Sequence, residues 1–121
     1  MYELTITDHF SSAHYLREYD GPCENLHGHT WKLEISLVSD TLNELGLVID
    51  FRIIKERLKA FLKDLDHVCL NDLEAFKDRN PSTENLAQFI YDEFSKKCEG
   101  FRLTKVRVWE SETSSVTFSP D

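Results

Sequence analysis

The chain has no long apolar segment. Among its 121 residues, no run approaches the roughly 20 apolar residues that a membrane-spanning helix needs. The segment from Met1 to Ile6 also lacks the basic region and the apolar block of a signal peptide. From these two absences we expect a cytoplasmic protein with no membrane partner.

Basic residues are scarce relative to acidic ones. The sequence has 14 lysines and arginines against 22 aspartates and glutamates, which gives a formal net charge of −8 at pH 7. General nucleic-acid binding needs a basic surface, so this balance argues against a nucleic-acid partner. An anionic substrate would have to meet a local basic pocket, because the overall field repels it.

Cysteine is also infrequent, with three residues, Cys23, Cys69 and Cys98. Three thiols cannot all pair within one chain, and none has the close spacing of a zinc finger, so we expect reduced cysteines. We find no internal repeat and no low-complexity segment. The length predicts one domain over residues 1–121, large enough for a real core and too small for an α/β barrel.

The periodicity of the apolar residues predicts four strands. Alternation of apolar and polar side chains predicts a first strand from Tyr2 towards His14, followed by a connecting loop with Gly and Pro. The same alternation predicts further strands over 31–37, 105–108 and 116–118.

Helical spacing between the second and third strands predicts two helices. The first runs from Phe51 to near Asp66, and the second runs from the start signature at 80–84 to a stop near Gly100. The order is therefore ββααββ, which predicts an α+β domain with both helices on one face of a four-stranded antiparallel sheet. The other face and the sheet edges need cover, so we expect a homo-oligomer.

The most informative motif is His27-Gly28-His29. Residues two apart on a strand point the same way, so His27 and His29 can bind one metal ion together. His14 ends a strand that is predicted to pair with this one, and it would supply a third imidazole. Three neutral imidazoles with one open position are typical of catalytic zinc sites. The alternative is a set of surface histidines beside a turn.

Two other classes of protein share this H-x-H spacing. Three-histidine carbonic anhydrases need a far longer chain and place the third ligand downstream. Cupins are all-β, which two amphipathic helices contradict. Neither class fits.

Cys23 lies four residues before His27, in a loop with Gly21 and Pro22. A nearby zinc ion would favour the thiolate of Cys23 and make it a usable base at neutral pH. Two alternatives stay open: an ordinary loop cysteine, or a fourth ligand that closes the metal site.

Two further candidates carry ionisable groups. Asp66 directly precedes His67 and could fix the tautomer of that imidazole for proton transfer, although a histidine that complements a helix dipole would give the same pattern. Glu110 follows a strand, where a carboxylate could accept two hydrogen bonds from the amidine-like edge of a pterin or guanine ring. An exposed acid at a strand end is the alternative for Glu110.

Together, these segments resemble the 6-pyruvoyl-tetrahydropterin synthase family of tunnelling-fold enzymes. The resemblance spans nearly the whole chain, and its segments follow the predicted ββααββ order. It is carried by FSSAH (10–14), CENLHGH (23–29), VIDF (48–51), LDH (65–67), LND (70–72), NPSTE (80–84) and WE (109–110).

The resemblance implies a role for each candidate residue. The zinc ligands would be His14, His27 and His29, and Cys23 would be the base that abstracts a proton. The remaining roles fall to Asp66 and His67, as catalytic partners of Cys23, and to Glu110, as the anchor of the pterin ring. Members of the fold assemble trimers into a barrel and commonly stack two trimers.

The implied substrate is 7,8-dihydroneopterin triphosphate. Zinc would act as a Lewis acid on the side-chain hydroxyls, and elimination of triphosphate with release of acetaldehyde would leave 6-carboxy-5,6,7,8-tetrahydropterin. The likeness is closest to the branch that makes this product for queuosine biosynthesis, because three residues separate Cys23 from His27. The alternatives are the pyruvoyl-forming activity, which retains the side chain, and a non-catalytic pterin-binding oligomer with a structural zinc.

The chain departs from the family pattern at two positions. Many relatives have a basic residue directly after the first zinc histidine, where this chain has Tyr15. Arg17 is the candidate substitute in binding the triphosphate. Ser111 also stands where a threonine is common.

Overall fold

The structure contains the six predicted elements in the predicted order. A computed structural model describes residues 1–18, 21 and 24–121. Two short 3-10 turns, Leu70–Asp72 and Glu74–Phe76, lie between the helices. The elements are β1 (Tyr2–His14), β2 (His27–Ser39), α1 (Phe51–Leu62), α2 (Thr83–Ser95), β3 (Arg102–Ser111) and β4 (Ser114–Phe118).

The four strands form one antiparallel sheet in the order β1-β2-β3-β4. In the register of β1 and β2, Phe10 lies opposite Trp31 and His14 lies opposite His27. The second strand therefore begins four residues earlier than its alternating apolar residues indicate. This early start places the His27-Gly28-His29 motif inside the sheet.

One face of the sheet is apolar and carries the core. Side chains two apart on each strand share a face, so the alternating pattern sends one set of residues towards the helices. The buried strand residues on this face are Ile6, Phe10, Trp31, Leu33, Ile35, Leu37, Leu103, Val106 and Val108. At one end of the sheet the same face continues from these apolar residues into Ser12, His14, His27 and His29.

The first helix begins where Asp50 accepts a hydrogen bond from the backbone N–H of Arg52. It buries Ile54, Leu58 and Leu62 against the core. The helix starts at the predicted Phe51, which is 54% exposed, but the predicted end near Asp66 was wrong, because the helix ends at Leu62.

The early end of α1 has a structural reason. After Leu62 the chain turns, and residues 67 and 68 bond to the free edge of β1. The backbone N–H of His67 donates to the carbonyl of Ser11, and the N–H of Ala13 donates to the carbonyl of Val68. A helix cannot offer these groups to a strand edge, because its own ladder uses them.

The second helix begins within the predicted start signature at 80–84, with Ser82 as its cap and Pro81 ahead of the helix. The side chain of Ser82 accepts from the backbone N–H of Asn85, and Leu86, Ile90 and Phe94 are buried. The helix ends at Ser95, before the predicted stop near Gly100, so Cys98 lies after it. Cys98 is half-buried, and this burial raises the pKa of its thiol to about 11. Neither helix, within the described residues, is long and apolar enough to span a membrane.

The opposite face of the sheet is polar. Thr5, Thr7 and Thr30 point away from the core and are exposed. Trp109 is partly buried on this face, where the Lys32 ammonium and the Arg107 guanidinium lie 5.6 Å and 4.5 Å from its ring centroid. Cation–π contacts of this kind stabilise an aromatic ring beside solvent.

Candidate metal centre and its surroundings

Three imidazoles converge where the apolar face of the sheet ends. His14 comes from the end of β1, and His27 and His29 come from the start of β2. One ring nitrogen of each lies within 4.8 Å of the others. His14 is buried, and the other two are partly buried. The structure thus brings together the three residues that the sequence predicts as ligands.

Backbone carbonyls fix the tautomers of two of these histidines. Nδ1 of His14 lies 2.7 Å from the carbonyl of Pro81, and Nδ1 of His27 lies 2.7 Å from the carbonyl of Asn25. A carbonyl only accepts, so each Nδ1 must donate. Each Nε2 then carries a lone pair, which is the form that binds a metal ion.

The cluster is well suited to a cation that prefers nitrogen ligands. Nε2 of His14 and Nε2 of His29 are buried and have no hydrogen-bond partner within the described part of the chain. Buried polar atoms without partners are rare and call for an explanation, and an ion is one. The residues therefore fit a zinc ion, which in proteins commonly binds three histidines and one further ligand.

Burial favours the neutral form of two of the imidazoles, those of His14 and His29. Burial lowers the pKa of His14 below 6.5, and the neighbouring His27 and His29 lower it further, against the hydrogen bond to Pro81 and the charge of Glu110. Burial also lowers the pKa of His29, although Glu110 opposes the shift. Both groups therefore stay available as ligands at neutral pH.

Trp31 forms the base of the cluster. It is fully buried, and its ring meets His14 and His29 edge-on, with centroids 4.9 Å and 5.0 Å away. Its Nε1 donates to the carbonyl of Ser12 at 3.4 Å. The sequence prediction used Trp31 only as a strand residue. Its place two residues after His29 on the same strand was the signal that it would support the site.

Glu110 lies beside two of the three histidines, His14 and His29. Its two carboxylate oxygens are each 3.9 Å from a ligand nitrogen: Oε1 from Nε2 of His29, and Oε2 from Nε2 of His14. The hydroxyl of Thr83 donates to Oε2 at 3.0 Å. The sequence prediction missed Thr83, because it lies 27 residues from Glu110 in the chain.

Asp66 and His67 form a hydrogen-bonded pair beside the edge of β1 that faces away from β2. Nδ1 of His67 lies 2.9 Å from Oδ2 of Asp66, and the backbone N–H of Ser11 donates to Oδ1 at 2.9 Å. Both hydrogen bonds lower the pKa of Asp66 below 3.8, and the bond from Ser11 has the larger effect. His67 has a φ of +58°, an unusual value for a residue with a side chain.

One residue of the Asp66–His67 pair and one histidine of the metal cluster line the same shallow cavity, without direct contact between the two groups. His29 and His67 both line this cavity of about 580 Å³. Among the described residues, no hydrogen bond or ion pair joins the pair to the three histidines. The predicted base, Cys23, lies outside the described residues.

Arg17 is engaged elsewhere in the structure. Its guanidinium donates to the carbonyls of Phe76, Arg79 and Asn71 at 2.8, 3.2 and 3.3 Å. Asn80 donates to the carbonyl of Arg17 and accepts from its N–H. Arg17 therefore fastens the segment after His14 to the turns before α2. This use of its donors does not support the hypothesis that it binds a triphosphate.

Comparisons with known proteins agree with the sequence and the fold. The family model described as 6-pyruvoyl tetrahydropterin synthase matches residues 3–121. A 6-carboxy-5,6,7,8-tetrahydropterin synthase of Bacillus subtilis is 35% identical over 96 residues, which cover 75% of this chain and 64% of that protein. A 6-pyruvoyl tetrahydrobiopterin synthase of Dictyostelium discoideum is 33% identical over 127 residues, which cover 95% of this chain and 93% of that protein.

Solved structures show the same architecture. The 6-pyruvoyl tetrahydropterin synthase of Caenorhabditis elegans matches with a TM-score of 0.89 at 25% identity, over 99% of this chain and 96% of that one. The predicted fold, four antiparallel strands with two helices, is confirmed. The resemblance read from the sequence and the prediction of an enzyme are confirmed as well.

Proposed function

Because the chain belongs to the 6-pyruvoyl tetrahydropterin synthase family, we propose that it converts 7,8-dihydroneopterin triphosphate to 6-carboxy-5,6,7,8-tetrahydropterin. The reaction releases acetaldehyde and triphosphate and belongs to queuosine biosynthesis. The observation that carries the proposal is the convergence of His14, His27 and His29, in which two buried Nε2 atoms have no hydrogen-bond partner among the described residues. Support for the product comes from relatives named for it and from the three-residue spacing between Cys23 and His27.

The metal in the proposal is zinc, held by the Nε2 atoms of His14, His27 and His29. Zinc supplies Lewis-acid polarisation of substrate oxygens and so eases loss of nearby protons. The carbonyls of Pro81 and Asn25 hold two of the imidazoles with Nε2 free. The protein thereby fixes both the direction and the protonation state of its ligands before the metal binds.

Proton transfer falls to Cys23, Asp66 and His67. We assign Cys23 as the base that removes a proton from the substrate side chain. Asp66 stays ionised and accepts from Nδ1 of His67, so Nε2 of that imidazole is left to exchange a proton with the substrate or with Cys23. Because the pair is exposed at a sheet edge, the complete site would form only when the edge is covered.

Oligomerisation would provide that cover. Within the described part of a single chain, β4 and the stretch of β1 before Ser11 have no strand partner on their outer edges, and the polar face of the sheet is exposed. Strand pairing between copies would satisfy the edges. We infer a trimer that closes a barrel, or two stacked trimers, in the cytoplasm, with the whole of 1–121 acting as one domain.

The test is the product formed from 7,8-dihydroneopterin triphosphate with added zinc. The proposal predicts that acetaldehyde and triphosphate appear in equal amounts. Triphosphate without acetaldehyde would instead show the pyruvoyl-forming activity, for which the Dictyostelium and Caenorhabditis likenesses give specific support. Absence of both products would overturn the proposed lyase activity.

A substitution separates the enzyme from a binding protein with a structural zinc. In C23A, the base role predicts full zinc content with turnover abolished. Loss of zinc from C23A would show that Cys23 closes the metal site as a fourth ligand. C98A is the matched control, because Cys98 is a partly buried thiol that follows α2 on the described part of the chain.

A further inference from the structure

A divalent cation bound by the three histidines would add positive charge that the imidazoles do not neutralise. Neutral imidazoles contribute no negative charge, and the side chain of His14 is only 3% exposed. A cation at such a buried position loses much of its hydration, so a nearby anion stabilises it more strongly than it would at the surface. Among the described residues, Glu110 is the carboxylate that lies within 4.0 Å of ring nitrogens of this cluster.

Glu110 faces the nitrogens that face the metal. In ordinary metal sites an outer carboxylate accepts from the remote N–H of a ligand histidine and fixes its tautomer. Here the carbonyls of Pro81 and Asn25 already take the remote N–H groups of His14 and His27. Glu110 lies on the other side, 3.9 Å from the two Nε2 atoms of His14 and His29. Its charge is therefore directed at two of the nitrogens that would hold the metal.

Thr83 holds the carboxylate in this position. The Thr83 side chain is buried in the first turn of α2, and its hydroxyl donates to Oε2 of Glu110 at 3.0 Å. The same end of α2 supplies the Pro81 carbonyl that orients His14. One helix terminus thus positions both a ligand and the carboxylate.

This position is hard to combine with anchoring the substrate ring. The pterin bicycle lies between its amidine edge and the side chain that zinc would hold. A ring anchor should therefore stand a full ring length from the metal, whereas the Glu110 oxygens lie within 4 Å of two ligand nitrogens.

We propose that Glu110, held by Thr83, is the charge partner of the metal bound by His14, His27 and His29, and that it raises the affinity of this site for a divalent cation. The proposal rests on the metal site of the proposed function. It gives Glu110 a task that binding of the pterin ring alone does not require.

The test measures the Zn²⁺ affinity of the metal-free protein by competition with a chromophoric chelator. E110Q keeps an acceptor for Thr83 but removes the charge, and its affinity should fall by about 10- to 100-fold. T83V frees the carboxylate and should lower affinity less than E110Q does, whereas T83S should restore it. E112Q removes a neighbouring exposed charge and should match the unsubstituted protein.

The outcomes separate this inference from the proposed function. Unchanged Zn²⁺ affinity in E110Q, with a raised KM, would overturn the inference and leave Glu110 as the ring anchor of a working enzyme. An unsubstituted protein that binds no Zn²⁺ would overturn both. Thermal unfolding of each metal-free variant checks that lost affinity does not reflect lost folding.

Discussion

His14 donates its Nδ1 proton to the carbonyl of Pro81, at 2.7 Å, across 67 residues of chain. This bond ties the last residue of β1 to the segment that starts α2. It also selects the tautomer of His14 in which Nε2 is the acceptor. The packing of a helix end on the sheet is therefore coupled directly to the state of a metal ligand.

Replacement of His14 by alanine should remove the metal. We expect H14A to retain little zinc and to lose about a hundredfold or more of its turnover, because the Lewis acid supplies several kcal/mol. Metal analysis of the purified protein checks the first expectation. H9A is the matched control, since His9 lies exposed on the opposite face of β1. An H14A protein with full zinc would contradict the ligand assignment.

Substitutions of His67 should change the free energy of unfolding and kcat to different degrees. Its φ of +58° suits asparagine better than most residues, so H67N should keep the free energy of unfolding within about 1 kcal/mol of the original. H67A should be less stable than H67N, because alanine gains nothing in this conformation. Both should lose about a hundredfold or more in kcat if the imidazole transfers a proton. Equal kcat in H67N and the original would exclude that role.

The carboxylate of Asp66 should stabilise the fold in a pH-dependent way. Its pKa is lowered below 3.8 by the Ser11 N–H and by His67. The stabilisation is therefore present above pH 3.8 and is lost as the pH falls through the lowered value. Urea unfolding of the original and D66N, from neutral to acidic pH, should show a difference that shrinks on acidification. D64N reports the general effect of removing one charge nearby. A difference that grows on acidification would contradict the sign.

Arg17 should matter for stability and not for triphosphate binding. Loss of its guanidinium in R17A leaves three carbonyls without this donor, and we expect a destabilisation of about 2 kcal/mol. The exposed K55A variant is the control for loss of a positive charge on the surface. The KM for the triphosphate substrate should not change once folding is accounted for. A large rise in KM would return Arg17 to the binding site.

The sequence predicted those parts of the site that depend on local periodicity. Strand alternation placed His27 and His29 on one side of β2, and the start signature located the beginning of α2 within residues 80–84. The register of β1 against β2 then brought His14 opposite His27. These features need only the two-residue period and neighbouring strands.

The remaining parts depend on contacts that no local pattern encodes. The hydrogen bond from Thr83 to Glu110 joins the first turn of a helix to a distant strand. The pairing of residues 67 and 68 with β1 ended α1 early, although the apolar spacing favoured a longer helix. The positive φ of His67 likewise could not be predicted from the neighbouring residues in the sequence, because the tertiary hydrogen bonds of that segment impose it.

The core residues and the metal ligands lie on the same face of the sheet, and this limits which insertions β1 and β2 can accept. Phe10 and His14 point the same way because an even number of steps separates them, as with Trp31 and His29. Insertion of a single residue between either pair would turn the imidazole to the solvent side without disturbing the core. We therefore expect tolerated insertions in these strands to come in pairs, or to be absorbed by a bulge, wherever metal binding is retained.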